Sequence, residues 1–203
     1  MKLYYSPNTC ALADHIVLEW IGKPYEAQRV SREERGSPEF RKINPAGAVP
    51  VLDVDGWILT QNAAILNYLA DIHPEAKLGG DGSAKGRAEV NRWLAFVNSD
   101  VHPAFKPLFG STGYLEDAAA IEKSKTHARA VLRTLFARAD EQLQGRDWLT
   151  GARSIADPYL YVVLRWAKGQ NLDLDGFAQL AKFKERMEAD PAVQKVLREQ
   201  GLD

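Results

Sequence analysis

With 203 residues, 45% of them apolar and 26% charged, the chain has the make-up of an ordinary globular protein and enough length to bury a core. A formal net charge of −1 gives no electrostatic reason to bind nucleic acid or an anionic membrane, so neither is expected as a partner. No apolar run approaches the roughly 20 residues of a membrane span, and one unpaired cysteine without a signal-like start fits a reducing, cytoplasmic setting.

The first 73 residues alternate short strands with helices. Residues 2–5 read as a strand, 6–9 as a turn and 11–20 as a helix; residues 25–30, after the Gly22-Lys23-Pro24 break, read as a second strand. Ser37 and Pro38 supply an N-cap and a first-turn proline for a short helix through Ile43. Residues 44–50 form a loop with two prolines and a glycine. Residues 51–54 and 57–59 then flank Asp55-Gly56, a two-residue hairpin signal. Asn62 opens a helix that sets Ile65, Leu66, Leu69 and Ile72 on one face. The order is βαβ followed by αββα, which requires a sheet mixing parallel and antiparallel strands. His73-Pro74 closes this part, and residues 78–86, rich in Gly, Asp and Ala, read as a linker.

Beyond the linker the pattern is helical. Val90, Trp93, Leu94, Val97 and Val101 define an amphipathic helix expected to stop at Pro103. A second long helix carries Leu132, Leu135, Phe136, Ala139 and Leu143. Ser154 and Asp157 have capping-box spacing at the head of a third, and Asp190-Pro191 opens a fourth. Two domains are expected, an α/β unit over residues 1–77 and an all-α unit over 87–203. No metal-type cluster of His and Cys is present in the sequence, and no metal is expected.

Three local features carry chemistry. Cys10 sits where a strand and turn give way to a helix, so unpaired N–H groups and the helix dipole favour its thiolate. As the only cysteine, it must find any partner sulfur outside the chain. Val49-Pro50, just ahead of a strand, is a candidate cis peptide that would present Val49 backbone to an extended peptide ligand. Thr60-Gln61-Asn62 opens a helix whose N–H groups, with the Asn62 side chain, suit a carboxylate. A thiolate-favouring position, an exposed backbone edge and a carboxylate site together suit a short thiol peptide, and glutathione is the obvious candidate. His15, inside a helix, reads as a packing residue, as does Trp93 on its apolar stripe.

Nearly the whole chain resembles a glutathione S-transferase, most closely the bacterial beta class. The resemblance runs in order through residues 2–5, Cys10 with 15–18, 43–51, Ala64-Ile65, 68–71, Trp93-Leu94, Val101-His102, 107–109, 156–160 and 165–167. It implies a thioredoxin-like N-terminal domain, an all-helical C-terminal domain and a homodimer. It also implies a glutathione site at Tyr5, Cys10, Val49, Pro50, Gln61 and Asn62, with Cys10 and His102 as catalytic residues. Phe105, Phe109, Tyr114 and Trp166 would line a pocket for a small hydrophobic electrophile. Three positions depart from the pattern: Gln61-Asn62 replace Glu followed by Ser or Gly, Ala11 replaces Ser, and Ala95 replaces Asn. Gln61 keeps hydrogen-bonding capacity but lacks the charge that would meet the ligand's ammonium, and Asn98, one turn after Ala95, lies on a similar face. Two alternatives stay open at this level: thiol–disulfide exchange through a Cys10–glutathione mixed disulfide, and a transferase-like module that binds without turnover.

Overall fold

A computed structural model describes residues 1–202; Asp203, the last residue of the expected helical domain, lies outside the described residues. Strands β1 (Lys2–Tyr5), β2 (Glu26–Arg29), β3 (Val51–Val54) and β4 (Trp57–Thr60) form one sheet in the order β2-β1-β3-β4. β1 runs parallel to β2, with Leu3 opposite Ala27, and antiparallel to β3, with Leu3 opposite Leu52. The mixed sheet expected from the element order is therefore present. Asp55 and Gly56 both take positive φ (53° and 92°) between β3 and β4, the backbone a two-residue hairpin of this twist requires. Gly56 N–H also donates to Asp53 Oδ1 at 2.7 Å.

Helix α1 (Ala11–Ile21) and helix α4 (Asn62–Ile72) cover the sheet face on which Leu3, Tyr5 and Leu52 point. The other face, with Tyr4 and Val51, is covered by Phe40 of α3 (Pro38–Ile43), which follows the short α2 (Arg32–Gly36). Strand alternation thus splits neighbouring residues between two cores. The first core continues without a break into the helical half, through Trp93, Phe105, Phe136 and Tyr159.

The helical half holds α5 (Ala84–Ala95), α6 (His102–Ala104), α7 (Ala118–Gln142), α8 (Ala156–Gly169), α9 (Ala178–Ala189) and α10 (Pro191–Gln200). Residues Ala156 to Leu164 of α8 are all buried, which makes it the central post. The expected stop at Pro103 is replaced by a continuation: a π-helical turn, Phe96–Val101, joins α5 to α6. Proline lacks an N–H and crowds the carbonyl four residues before it; widening the turn upstream lets the rod pass Pro103. His102 N–H accordingly bonds back to Val97 O. The expected linker is not loose either. Leu78 is buried and its carbonyl accepts from Ile155 N–H at 3.0 Å. Arg87 donates to Asn67 Oδ1 at 2.7 Å and pairs with Asp71 at 2.9 Å, tying α5 to α4.

His15, read from sequence as a packing residue, is fully buried between Tyr5 and Tyr25, with Nδ1 at 3.0 Å from Gln200 Nε2. Burial pushes its pKa down to about 4 from an ordinary value near 6.5. The unfolded chain therefore binds a proton here more readily than the native one. Stability is expected to be full above about pH 6.5 and to fall by about 3 kcal/mol as pH drops through 4. Urea unfolding between pH 4 and 7 checks this: the slope should flatten in His15→Gln, and an unchanged slope would refute the assignment.

Candidate functional site

A cleft of about 370 Å³ opens between the sheet half and the helical half. It gathers six of the residues expected from sequence: Cys10, Val49, Pro50, Gln61, Asn62 and His102. Cys10 comes from the head of α1, Val49-Pro50 from the loop before β3, and Gln61-Asn62 from the head of α4. His102 comes from the other wall, where the π-turn ends. The Val49–Pro50 bond is cis, as the sequence suggested, and Val49 lies ahead of the β3 ladder.

Gln61 caps α4 with φ 75° and ψ 113°, a sparsely populated conformation for a residue with a side chain and a mark of functional sites. No side chain caps this helix end, so its first backbone N–H groups are left for an anion. The Asn62 side chain does not join them. It is buried, and with its amide nitrogen turned inward it donates to Asp14 Oδ2 at 2.7 Å and to the Cys10 carbonyl at 3.0 Å. Asp14 thus holds inside the protein the amide that was expected to meet a carboxylate. Asp14 itself is fully buried, and burial raises its carboxyl well above the usual range.

The surroundings of Cys10 oppose the thiolate that its helix position favours, although the residue is only partly buried. Burial, with Asp14 one turn along α1 as the second cause, pushes the thiol up to about 12, although the N–H groups of Cys10 and Ala11 pull the other way. The thiol lies 3.9 Å from the Val49 carbonyl, its acceptor. A helix N-terminus favours thiolate only where the sulfur keeps its solvation and no carboxyl sits beneath it.

His102 is partly buried, and its Nδ1 meets the Tyr159 hydroxyl at 2.6 Å. Its ring stands edge-on to Trp166 at 4.7 Å. Burial, then the nearby Lys106 ammonium, lowers its pKa, so it is neutral at pH 7. Among the described residues that line the cleft, Lys106 is the one lysine, and no arginine, aspartate or glutamate joins it.

The remaining expected residues divide. Tyr5 does not reach the cleft: it packs against His15 at 5.2 Å and borders a separate depression with Glu19 and Lys195, because strand alternation turns it under α1. Phe105 and Trp166 are buried, and Trp166 Nε1 donates to the Asn8 carbonyl at 2.8 Å. Phe109 stacks on Phe105 at 5.7 Å, stands edge-on to Trp166 and remains 50% exposed; the three form an aromatic shelf behind His102, outside the residues that line the cleft itself. Tyr114 is 79% exposed in a 3-10 turn and takes no part in that shelf. Among the other residues that line the cleft are Asn98, Lys106 and Tyr159, none of which was in the site expected from sequence. The signal for two of them was present, since positions 98, 102 and 106 recur every four residues and share one helical face. Tyr159, 57 residues from its partner His102, left no such trace.

Comparison with known proteins places this geometry. Residues 4–77 match the family "Glutathione S-transferase, N-terminal domain", and residues 93–191 match "Glutathione S-transferase, C-terminal domain". Glutathione S-transferase GST-4.5 of Xanthomonas campestris pv. campestris is 55% identical over 100% of both chains. A solved glutathione S-transferase from Xylella fastidiosa is 53% identical and superposes with a TM-score of 0.97, covering 100% of this chain and 99% of that one. A sphingomonad glutathione S-transferase solved with glutathione is 36% identical over the full length of both chains, with a TM-score of 0.87.

Proposed function

The chain belongs to the glutathione S-transferase family and is a glutathione transferase, and we propose that it joins glutathione through sulfur to small hydrophobic electrophiles in the cleft between its halves. The observation that carries this is the convergence of the Val49-Pro50 backbone, the uncapped head of α4 and Cys10 on one wall, against His102 on the other. The head of α4 takes the γ-glutamyl carboxylate, and Val49 backbone pairs with the cysteinyl unit. The glutathione sulfur then lies between Cys10 and His102, with the shelf of Phe109 and Trp166 behind the histidine. Pairing into a homodimer is part of the same reading, supported by Trp57 and Ile72, which leave apolar surface exposed on β4 and α4. A cytoplasmic location accords with it, and among the described residues no helix is long and apolar enough to cross a membrane.

Calorimetric titration with reduced glutathione tests the reading. One site per subunit is expected in the micromolar to low-millimolar range, roughly −8 to −4 kcal/mol. Formation of a thioether with a chromogenic aryl halide should accompany it. Neither heat nor conjugate would sink the proposal.

Cys10 acts here as a protonated wall of the sulfur site. Exchange with a disulfide needs a thiolate, and a thiol at about 12 supplies very little at pH 7. Mass analysis after exposure to glutathione disulfide should therefore find slow adduct formation on Cys10, and Cys10→Ser should keep most conjugating activity. Rapid stoichiometric addition would favour the thiol–disulfide reading instead.

A further inference from the structure

The Tyr159 hydroxyl has two neighbours and one proton. It donates to Asn98 Oδ1 at 3.3 Å, and it lies 2.6 Å from His102 Nδ1. With its proton directed to Asn98, the hydroxyl accepts from His102, an arrangement in which Nδ1 carries the hydrogen. A neutral imidazole has one N–H; its other nitrogen, Nε2, is then an acceptor, and among the described residues it has no hydrogen-bond partner. Tyr159 is well placed to hold this arrangement. It is fully buried in the first turns of α8, and burial raises its pKa, which keeps the hydroxyl protonated. Asn98 is set one turn before His102 by the π-turn, which holds Asn98 and ends at His102. The titratable groups that act on the ring or its partner are Lys106, which faces His102, and Cys10 and Asp14, which face the Tyr159 hydroxyl.

We propose that Asn98 and Tyr159 form a positioning relay that fixes His102 as its Nδ1–H tautomer and turns the Nε2 lone pair toward the glutathione sulfur. The inference rests on the conjugation reading above. In the step it serves, the S–H bond of glutathione breaks and its electron pair stays on sulfur. The proton passes to Nε2, giving imidazolium. The sulfur pair then forms the C–S bond as the leaving group departs with its own pair, and the imidazolium returns its proton to water. Neither Asn98 nor Tyr159 touches the reacting atoms; both act through His102.

Nitrogen-15 spectra of histidine-labelled protein, assigned by comparison with His102→Gln, read the tautomer directly and need no glutathione. The expected result is Nδ1–H in the unmodified protein, retained in Asn98→Asp, which keeps an acceptor oxygen. It should shift toward Nε2–H in Asn98→Ala and Tyr159→Phe. In those two variants kcat/KM should fall by about 10-fold or more, with glutathione affinity little changed. Nε2–H in the unmodified protein would overturn the relay, as would Asn98→Ala keeping both tautomer and rate. Because the spectrum is taken without ligand, failure of the relay and failure of the conjugation reading give different results.

Discussion

Replacement of His102 by alanine is expected to lower kcat/KM for conjugation by about 100-fold or more, the usual range for removing a positioned proton acceptor. A free thiol with a pKa near 8.5 is mostly protonated at pH 7, so the reaction needs either a shifted equilibrium or a base at the sulfur. Cys10 supplies neither, since its own thiol is pushed up to about 12. His102 is the group in the cleft that can accept a proton: its pKa is lowered by burial and by Lys106, which keeps it neutral at physiological pH. The direction fixes the acid limb of the rate profile. Protonation removes the base, and because the pKa lies below 6.5, activity should persist to a lower pH than an exposed histidine would allow. Steady-state rates from pH 5 to 8 with a chromogenic aryl halide, alongside glutathione titration, provide the check. An unchanged kcat/KM in His102→Ala would remove the residue from the mechanism. Reduced glutathione binding with unchanged kcat would make it a binding residue.

Asp157→Ala is expected to cost the fold about 4 kcal/mol, a large share of the 5–15 kcal/mol typical of a domain. The Asp157 carboxylate, fully buried at the head of α8, accepts from Leu149 N–H at 2.9 Å and from both the N–H and the hydroxyl of Ser154 at 2.8 Å. Alanine leaves these donors buried without an acceptor. The cavity adds to the loss, because α8 is the post against which α1 and α5 pack. Asp157→Asn, which keeps one acceptor oxygen, should fall between. Burial raises the Asp157 carboxyl to about 6 from an ordinary value of 3.8, so below about pH 6 the native state holds a proton that the unfolded chain has lost, and the gap between the native protein and the non-titrating Asp157→Asn should widen from pH 7.5 to pH 5. Urea unfolding at pH 7.5 and pH 5 measures both effects; a loss under about 1 kcal/mol in Asp157→Ala would show that the contacts are dispensable.

Local signals carried most of the fold. The Asp55-Gly56 turn, the Ser37-Pro38 helix start and the apolar stripe of α4 each depend on a few neighbouring residues, and each reads directly from sequence. The cleft was legible to the same extent, because the heads of α1 and α4 and the loop before β3 are set by chain order. Side-chain direction was not. Asn62 faces inward because Asp14, 48 positions away in sequence but adjacent in space, holds it there. The Cys10 thiol is governed by burial, which helix position alone does not report. Tyr5 and Tyr4 differ in role only by strand phase. The π-turn was misread as a stop because proline's missing N–H predicts a break but not how a wider turn absorbs it.

The unbroken apolar core beneath the cleft has a consequence for how molecules enter it. Where two units of a chain meet through a small polar contact, they hinge apart readily. Here the walls share one set of buried side chains, from Leu12 and Ile16 of α1 to Leu160 and Val163 of α8, and Trp166 and Arg87 add ties across the join. Parting the walls would expose that interior to water, at about 25 cal/mol for each Å² uncovered. Opening the cleft by parting its walls is therefore costly, and a ligand is expected to enter past the residues that line its mouth, Lys106 among them. Rigidity of this kind favours slender partners over bulky ones whatever their reactivity.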